Sequence, residues 1–574
     1  MNHQSKPWAA LSAVALAVAS PFMWPSTGWA AIENMVVTTR KAEENVQDIP
    51  VSVTALDADT IEKRAITSTG DVVKLIPGVQ FDQSFSAADT RISIRGINSE
   101  RGRTSAAILV DGVDVSGENI TAGGGSSLLN VRLLDLERIE VVKGPQSGLY
   151  GRNAFAGAIS YITRQPSMDD FVVRAYADGA DYSTYDLRGS ISGPIVPGVF
   201  AMSLNAGVYS TDGYYDNNNP AVAAANVELG GSESSGARLV ALLTPVESLS
   251  ITASVSYTEN ESDPRAVAKV GNANTFYLMG AQLPAGTVPT FDAFGTMDYG
   301  QWLGTVSKVP ESDINLSISE RTGAPFAGSE DDTLLAYANL DWDVAGMTFK
   351  SLTSYLKNEA RLHEDAEFQD GAGTFFMGAG LSIANDYLDE TDTKYFNQEF
   401  TLESNDWDRG RWLVGVSGFW EETENVDNSL GWFNDPNLAF APGICGSNPF
   451  QFACGFAASA AAGVPPKTTD RDTTSYSVFG LIGFDITEDL RLTLEARYIH
   501  DEIEVTTNTA IDRVSQYIMN IPIDFSFGPP PALPATDTQR SDTINPRIAL
   551  DFSLTDDVMF YGSVAKGTKP AGFG

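Results

Sequence analysis

Between residues 249 and 258 apolar and hydroxylated side chains alternate without a break. Leu249, Ile251, Ala253, Val255 and Tyr257 fall on one side, and Ser250, Thr252, Ser254, Ser256 and Thr258 on the other. A period of two is the signature of a strand with one apolar face. Phe200, Met202, Leu204, Ala206 and Val208 repeat it, as do Tyr476, Val478, Gly480, Ile482, Phe484 and Ile486, and then Leu492, Leu494, Ala496 and Tyr498. Opposite that last set stand Arg491, Thr493, Glu495 and Arg497. Aliphatic side chains on one face and charges on the other suit a sheet between lipid and a wet lumen.

The connections point the same way. Tight turns are expected at Pro194 to Gly198, Thr244 to Ser248, Asp343 to Gly346, Ile486 to Leu490 and Leu554 to Asp557. Long polar excursions lie between them, at Thr211 to Gly231, Glu259 to Glu330, Asn358 to Tyr387, Glu424 to Asp472 and Thr506 to Thr538. Short and long connections alternate in outer-membrane barrels, whereas a soluble sandwich has no reason to gather its long loops at one end. About 13 strands are expected up to Gly567, of about 22 in a complete, even-numbered barrel, so the sequence reads as C-terminally truncated.

Before Pro166 the pattern is mixed α+β. Asp59 or Thr60 can cap a short helix running through Arg64. Thr69 or Asp71 can start another, which stops at Ile76-Pro77-Gly78. Strands are expected at Arg91 to Arg95, Ala107 to Val110 and Arg138 to Val142.

Composition narrows the function. The 574 residues carry 37 Lys plus Arg against 74 Asp plus Glu, a net charge of -37. So acidic a chain is a poor nucleic-acid binder and is repelled by an anionic membrane surface, so membrane association must come from insertion. Lys6, the apolar run Trp8 to Ser20 and the small residues Gly28 and Ala30 read as a signal peptide over 1–30. No later segment approaches the roughly 18 apolar residues of a membrane-spanning helix. Cys445 and Cys454 sit close together in a Gly- and Pro-containing stretch. In an exported protein they fit one local disulfide; a metal site would want a nearby histidine, and none is there.

The first part of the chain carries the most specific motifs. Glu33-Asn34-Met35-Val36-Val37-Thr38 is a short extended segment that reads either as an ordinary first strand or as a peptide able to add to a partner's sheet. Asp48-Ile49-Pro50-Val51-Ser52-Val53, Leu75-Ile76-Pro77-Gly78-Val79, Ile92-Ser93-Ile94-Arg95-Gly96 and Val110-Asp111-Gly112-Val113 follow in order. Leu136-Glu137-Arg138-Ile139-Glu140-Val141-Val142-Lys143-Gly144-Pro145, Leu149-Tyr150-Gly151-Arg152-Asn153-Ala154 and Gly157-Ala158-Ile159-Ser160-Tyr161-Ile162-Thr163 complete the set. Near the other end stands Tyr561-Gly562-Ser563-Val564-Ala565-Lys566-Gly567. Together these resemble the TonB-dependent receptors of bacterial outer membranes.

The resemblance implies a TonB box and linker over 31–47, a plug domain over 48–166 and an antiparallel transmembrane β-barrel over 167–574. It makes the TonB energy-transducing complex the partner of residues 33–38. It also implies a buried polar network between plug and barrel wall that includes Arg95, Glu137, Arg138, Glu140 and Arg152, charges set in short apolar segments where burial is costly without partners. The cargo it implies is a ferric siderophore, with an oligosaccharide, haem or cobalamin as alternatives, and no cofactor.

The residues themselves do not name the ligand. Tyr214, Tyr215, Phe276, Tyr277, Tyr299, Trp302, Phe375, Phe376, Trp432 and Phe433 lie in the long loops. They suit stacking on planar ligands, and equally an interfacial girdle or loop packing. An enzyme finds no support. Beyond His3 there are only His363 and His500, neither in a catalytic or zinc spacing, and Glu364-Asp365 reads as a solvated loop face. A passive porin or surface adhesin would share the barrel pattern without needing residues 33–38.

Overall fold

A computed structural model describes residues 36–38, 40–42, 44–46, 49–83, 89–98, 102–119, 125–129, 134–219, 228–266, 276–278, 281–283, 314, 316, 318–319, 322–365, 382–405, 409–428, 430–434, 467–508, 534–555 and 558–569. The expected signal peptide, Glu33 to Met35, Cys445 and Cys454 lie outside the described residues.

The first 163 residues build a small mixed domain. Ser52–Asp57, Leu136–Lys143, Gly157–Thr163, Ala106–Val110 and Val113–Asp114 form its five-stranded sheet in that spatial order, with one parallel pairing, Gly157–Thr163 on Ala106–Val110. Both expected helices form, but each starts earlier than the sequence reading placed it. Ala58–Lys63 is capped by Asp57, whose carboxylate accepts from the Thr60 N–H at 2.8 Å. Asp57, Asp59 and Thr60 are all competent caps, and the strand ending at Asp57 selects the first. Thr69–Lys74 is capped by Ser68, and Asp71 accepts back from the Ser68 hydroxyl at 3.0 Å, a reciprocal arrangement. Ile61, Val72 and Val73 turn inward from these helices onto Ile108, Ile139, Val141 and Ile159 of the sheet.

Two glycines are demanded by the backbone. Gly157 has φ +151°, and a Cβ there would stand 2.3 Å from the Val142 carbonyl oxygen. Asp111 and Gly112 both have positive φ, 49° and 88°, forming the two-residue turn that suits the right-handed twist of a hairpin.

The rest of the described chain is one antiparallel sheet. Its strands are Val172–Gly179, Tyr185–Val196, Phe200–Thr211, Ser232–Val246, Leu249–Ser262, Gly328–Val344, Met347–Asp365, Ser382–Ser404, Gly410–Asp427, Lys467–Asp485, Leu490–Thr507, Ala535–Thr555 and Val558–Ala565. They pair in sequence order, and the short strand Leu430–Asn434 adds onto Ser382–Ser404. Among the described residues the two end strands do not pair with each other.

The alternation sorts the faces as expected. Leu204, Val255, Tyr257, Tyr476, Val478, Leu494 and Tyr498 are exposed on the outer side. Ser203, Asn205, Ser254, Ser477, Thr493, Glu495 and Arg497 are buried on the inner side. Exposed aliphatics with buried charges invert the order of a soluble protein, and only a lipid surround makes that arrangement favourable. Several strands run further than the alternation suggested. Met347–Asp365 and Ser382–Ser404 extend into the expected loop between Asn358 and Tyr387. A sixth short connection, between Ser404 and Gly410, joins two strands that the pattern did not separate.

The mixed domain fills the lumen of this sheet. Its apolar core is completed by Leu335, Tyr337, Leu356 and Tyr395 from the wall.

Candidate functional site

The site that this architecture defines is the seam between the inner domain and the wall, together with the N-terminal segment threaded into it. Val36–Val37 pairs antiparallel with Glu44–Asn45, and Val37 is fully buried. The Thr38 N–H donates to both carboxylate oxygens of Glu140, at 2.9 and 3.0 Å. Glu140 projects from the central strand Leu136–Lys143 and is itself fully buried. Arg40 and Glu44 close the small hairpin with a two-point ion pair, at 2.8 and 2.5 Å.

Beyond Thr38 the segment turns to the wall. Lys41 pairs with Glu399, and its ammonium stands 4.8 Å from the Phe479 ring centre. The Lys41 carbonyl accepts from Lys350 at 3.3 Å, and the Arg40 carbonyl from Arg411 at 3.3 Å. Burial pulls the Lys41 ammonium below the usual lysine range, an effect that Glu399 only partly offsets.

The five charges singled out from the sequence do not lie together. Glu137, Arg138 and Glu140 are on one strand. Arg138 bonds Glu140 at 2.8 Å and the exposed Glu137 at 2.7 Å, so this trio ties the inner domain to the N-terminal segment. Arg95 lies in the left-handed turn Arg95-Gly96 and is exposed, with no ion pair printed by its position in the lumen. Arg152 does reach the wall. Its guanidinium stacks 3.9 Å from the Phe419 ring centre and lies 3.6 Å from Asp501. Burial lowers its pKa, and the nearby Arg103 lowers it further.

The sequence reading missed most of the direct plug–wall ion pairs. Arg103, 1% exposed, bonds both oxygens of Glu421 and lies 3.3 Å from Glu118, which in turn holds Arg471 at 2.6 Å. Burial alone would pull the Arg103 pKa down, but Glu421 and Glu118 more than reverse it. Asp111, presented by its hairpin turn, accepts from Arg238 at 3.0 Å and from the Tyr337 hydroxyl at 2.5 Å. Arg497 donates to the Leu149 carbonyl at 2.9 Å and reaches Glu399 at 3.5 Å. A signal was available: Glu495 and Arg497 sit on the polar face of an alternating strand, and any charge there must meet a lumenal partner.

A polar cavity of about 460 Å³ lies in the same seam, bounded by Thr38, Lys41, Arg138, Arg152, Glu399 and Arg497. A second, of about 390 Å³, is bounded by Ser68, Asp71, Tyr214, Ser232, Ser262 and Asp331. Of the loop aromatics, Tyr214 and Tyr215 are exposed. Phe276, Tyr277, Trp432 and Phe433 lie on short strands whose side chains are outside the described set, as are Tyr299, Trp302, Phe375 and Phe376 altogether. Among the described residues no cluster of three or more His, Cys, Asp or Glu side chains could hold a metal ion.

A strand-by-strand wall with an apolar outer face, filled by a separately folded domain, defines a plugged outer-membrane β-barrel. The chain belongs to the TonB-dependent receptors. The plug-domain model of that family matches residues 45–158, and its barrel model matches residues 271–574. The vitamin B12 transporter BtuB of Vibrio vulnificus is 33% identical over 150 residues, covering 26% of this chain and 23% of the relative. The pesticin receptor of Yersinia pestis is 27% identical over 215 residues, covering 37% and 30%. These matches therefore span less than a third of each curated relative.

Two solved structures are similar in fold across nearly the whole chain. The ferric yersiniabactin uptake receptor FyuA from Yersinia pestis has TM-score 0.58 at 15% identity, covering 91% of this chain and 67% of that one. The ferric-catecholate import receptor Fiu from E. coli K12 has TM-score 0.60 at 16% identity, covering 92% and 71%. The family is one of transporters and receptors rather than enzymes.

Proposed function

We propose that this protein imports a scarce extracellular ligand across the outer membrane, drawing on energy delivered through TonB. The observation that carries the reading is the N-terminal segment, buried in the plug–wall seam and ending at Thr38 against Glu140. A plug that fills the lumen blocks diffusion, so passage needs work. A short strand-forming peptide at the inner end is the handle through which a partner can apply that work by strand addition. In this account residues 33–38 are the TonB box. Ligand binds between outer loops and plug apex, the box becomes available in the periplasm, and a pull displaces part of the plug.

The cargo we favour is a ferric siderophore, in keeping with siderophore receptors among the structural relatives. Cobalamin is the second reading, because a vitamin B12 transporter is among the curated relatives. Oligosaccharides and haem complete the test panel. Transcript abundance under iron starvation and repletion, with several carbon sources and radioactive-iron siderophores supplied alongside, decides between them. Induction by iron starvation with uptake of a ferric chelate supports the first reading. Indifference to iron, with induction by one glycan or with cobalamin uptake, removes it.

A further inference from the structure

Every charge that the N-terminal segment leaves behind can be followed in the seam. If residues 36–46 are withdrawn, Glu140 loses Thr38 but keeps Arg138 at 2.8 Å. Glu399 loses Lys41 but keeps Arg497 at 3.5 Å. Lys350 loses the Lys41 carbonyl but keeps Glu403 at 2.6 Å. Arg40 and Glu44 depart together as a self-neutral pair, 2.5 Å apart. Arg411, half-buried near the end of its strand, surrenders its contact with Glu44.

Withdrawal of the plug body is different. It would strip Arg238 of Asp111 and Glu421 of Arg103, all four side chains being 7% exposed or less. It would also remove the Asp114 carbonyl from the Tyr395 hydroxyl, which donates to it at 2.5 Å. A buried ion that loses its partner is strongly disfavoured. The two halves of the seam are therefore unequal: one is arranged to come apart and the other is not.

The polar cavity of about 460 Å³ lies where they meet. Thr38 and Lys41 of the withdrawable segment form part of its boundary, while Asp111, Arg152 and Arg497 of the retained parts form the rest. We propose that residues 36–46 are a removable wall of this cavity, and that their withdrawal opens a polar path between plug and barrel while the five-stranded plug sheet stays in place. The path suits hydrophilic cargo, since both signs of charge line it. This inference rests on the import reading for its physiological meaning but not for its test.

The test is single-molecule pulling on the N-terminus of the full chain in a lipid bilayer, where an instrument replaces the partner. The first rupture should come at low force and release residues 36–50, roughly 50 Å of extended chain. Release of the whole plug, roughly 450 Å, in one step would overturn the proposal. A disulfide between Ser127→Cys and Asn358→Cys, whose side chains bond at 3.1 Å, should leave the first rupture unchanged. The tether is made with Cys445 and Cys454 replaced by Ser, and its loss of the early event would contradict the proposal. As a second readout, Ser475→Cys, which lines the cavity, should react with a membrane-impermeant maleimide at least tenfold faster when residues 36–46 are deleted. An unchanged rate would mean that the segment is not a wall. Uptake plays no part in these readouts, so failure of the import reading and failure of this one are distinguishable.

Discussion

Lys41 and Glu399 stand 358 positions apart in sequence, yet their side chains pair in the seam, three residues beyond the point where Thr38 is held by Glu140. The contact joins the segment that a periplasmic partner would grip to the wall that must stay still. It makes docking of that segment a matter of specific, breakable polar bonds rather than apolar burial.

Acid should loosen the docked hairpin. Burial pushes the Glu44 carboxyl up, but Arg40 and Arg411 outweigh it and hold the group below its ordinary value of 4.5. A carboxylate depressed in the docked state stabilises that state above pH 4.5, and the contribution is lost as pH falls through the docked-state value. A nitroxide attached at Val36→Cys should therefore become more mobile below pH 4.5. Glu44→Gln should be mobile already at neutral pH and should show little further change on acidification.

The plug–wall ion pair is a strong stability test. Arg103→Ala leaves Glu421 buried without its guanidinium and should cost about 3–5 kcal/mol in chemical denaturation of the full chain in detergent. The double variant R103M/E421M, which removes both charges and keeps volume, should cost far less. Equal losses in the two variants would show that packing, not charge pairing, holds this contact.

Helix capping separates the structural assignment from the sequence expectation. Asp57→Ala should lower stability by about 1 kcal/mol, because it removes the acceptor for the Thr60 N–H. Asp59→Ala removes only an exposed ion pair with Lys63 and should be close to neutral. The reverse order in thermal denaturation would return the cap to Asp59.

Above the apolar band the register sets carboxylates directly opposite one another across six neighbouring strands. Glu259 faces Asp332, Asp332 faces Glu359, Glu359 faces Asp392, Asp392 faces Glu424, and Glu424 faces Asp470. Like charges opposed across strands are destabilising, and salt screens them beyond about 10 Å at 0.1 M. The melting temperature in a nonionic detergent should rise by about 2 °C or more between low and moderate salt. Asp392→Asn should raise the low-salt value and flatten the dependence; a fall with salt would contradict the ladder.

Those strands also mark where the sequence stopped being legible. Leu249 to Tyr257 announces itself because one face meets lipid and the other the lumen. From Glu259 onward both faces are polar, so the alternation fades while the strand continues to Ser262. The same loss hides Lys467 to Thr474. Arg95 drew attention as a charge among aliphatics, but the neighbouring Gly96 makes a hairpin turn that carries it to the surface. Arg103 and Glu421 could not be matched from sequence, because their meeting depends on how the plug seats in the barrel. Local signals gave the elements and the order of domains; the seam needed the three-dimensional register.

Import driven through residues 33–38 is tested most directly by deleting them and measuring binding and uptake of a radioactive-iron siderophore by the same cells. The account predicts that surface binding persists and that uptake falls to the level of cells lacking TonB. Undiminished uptake would contradict it, making the barrel a passive pore or the segment an ordinary strand.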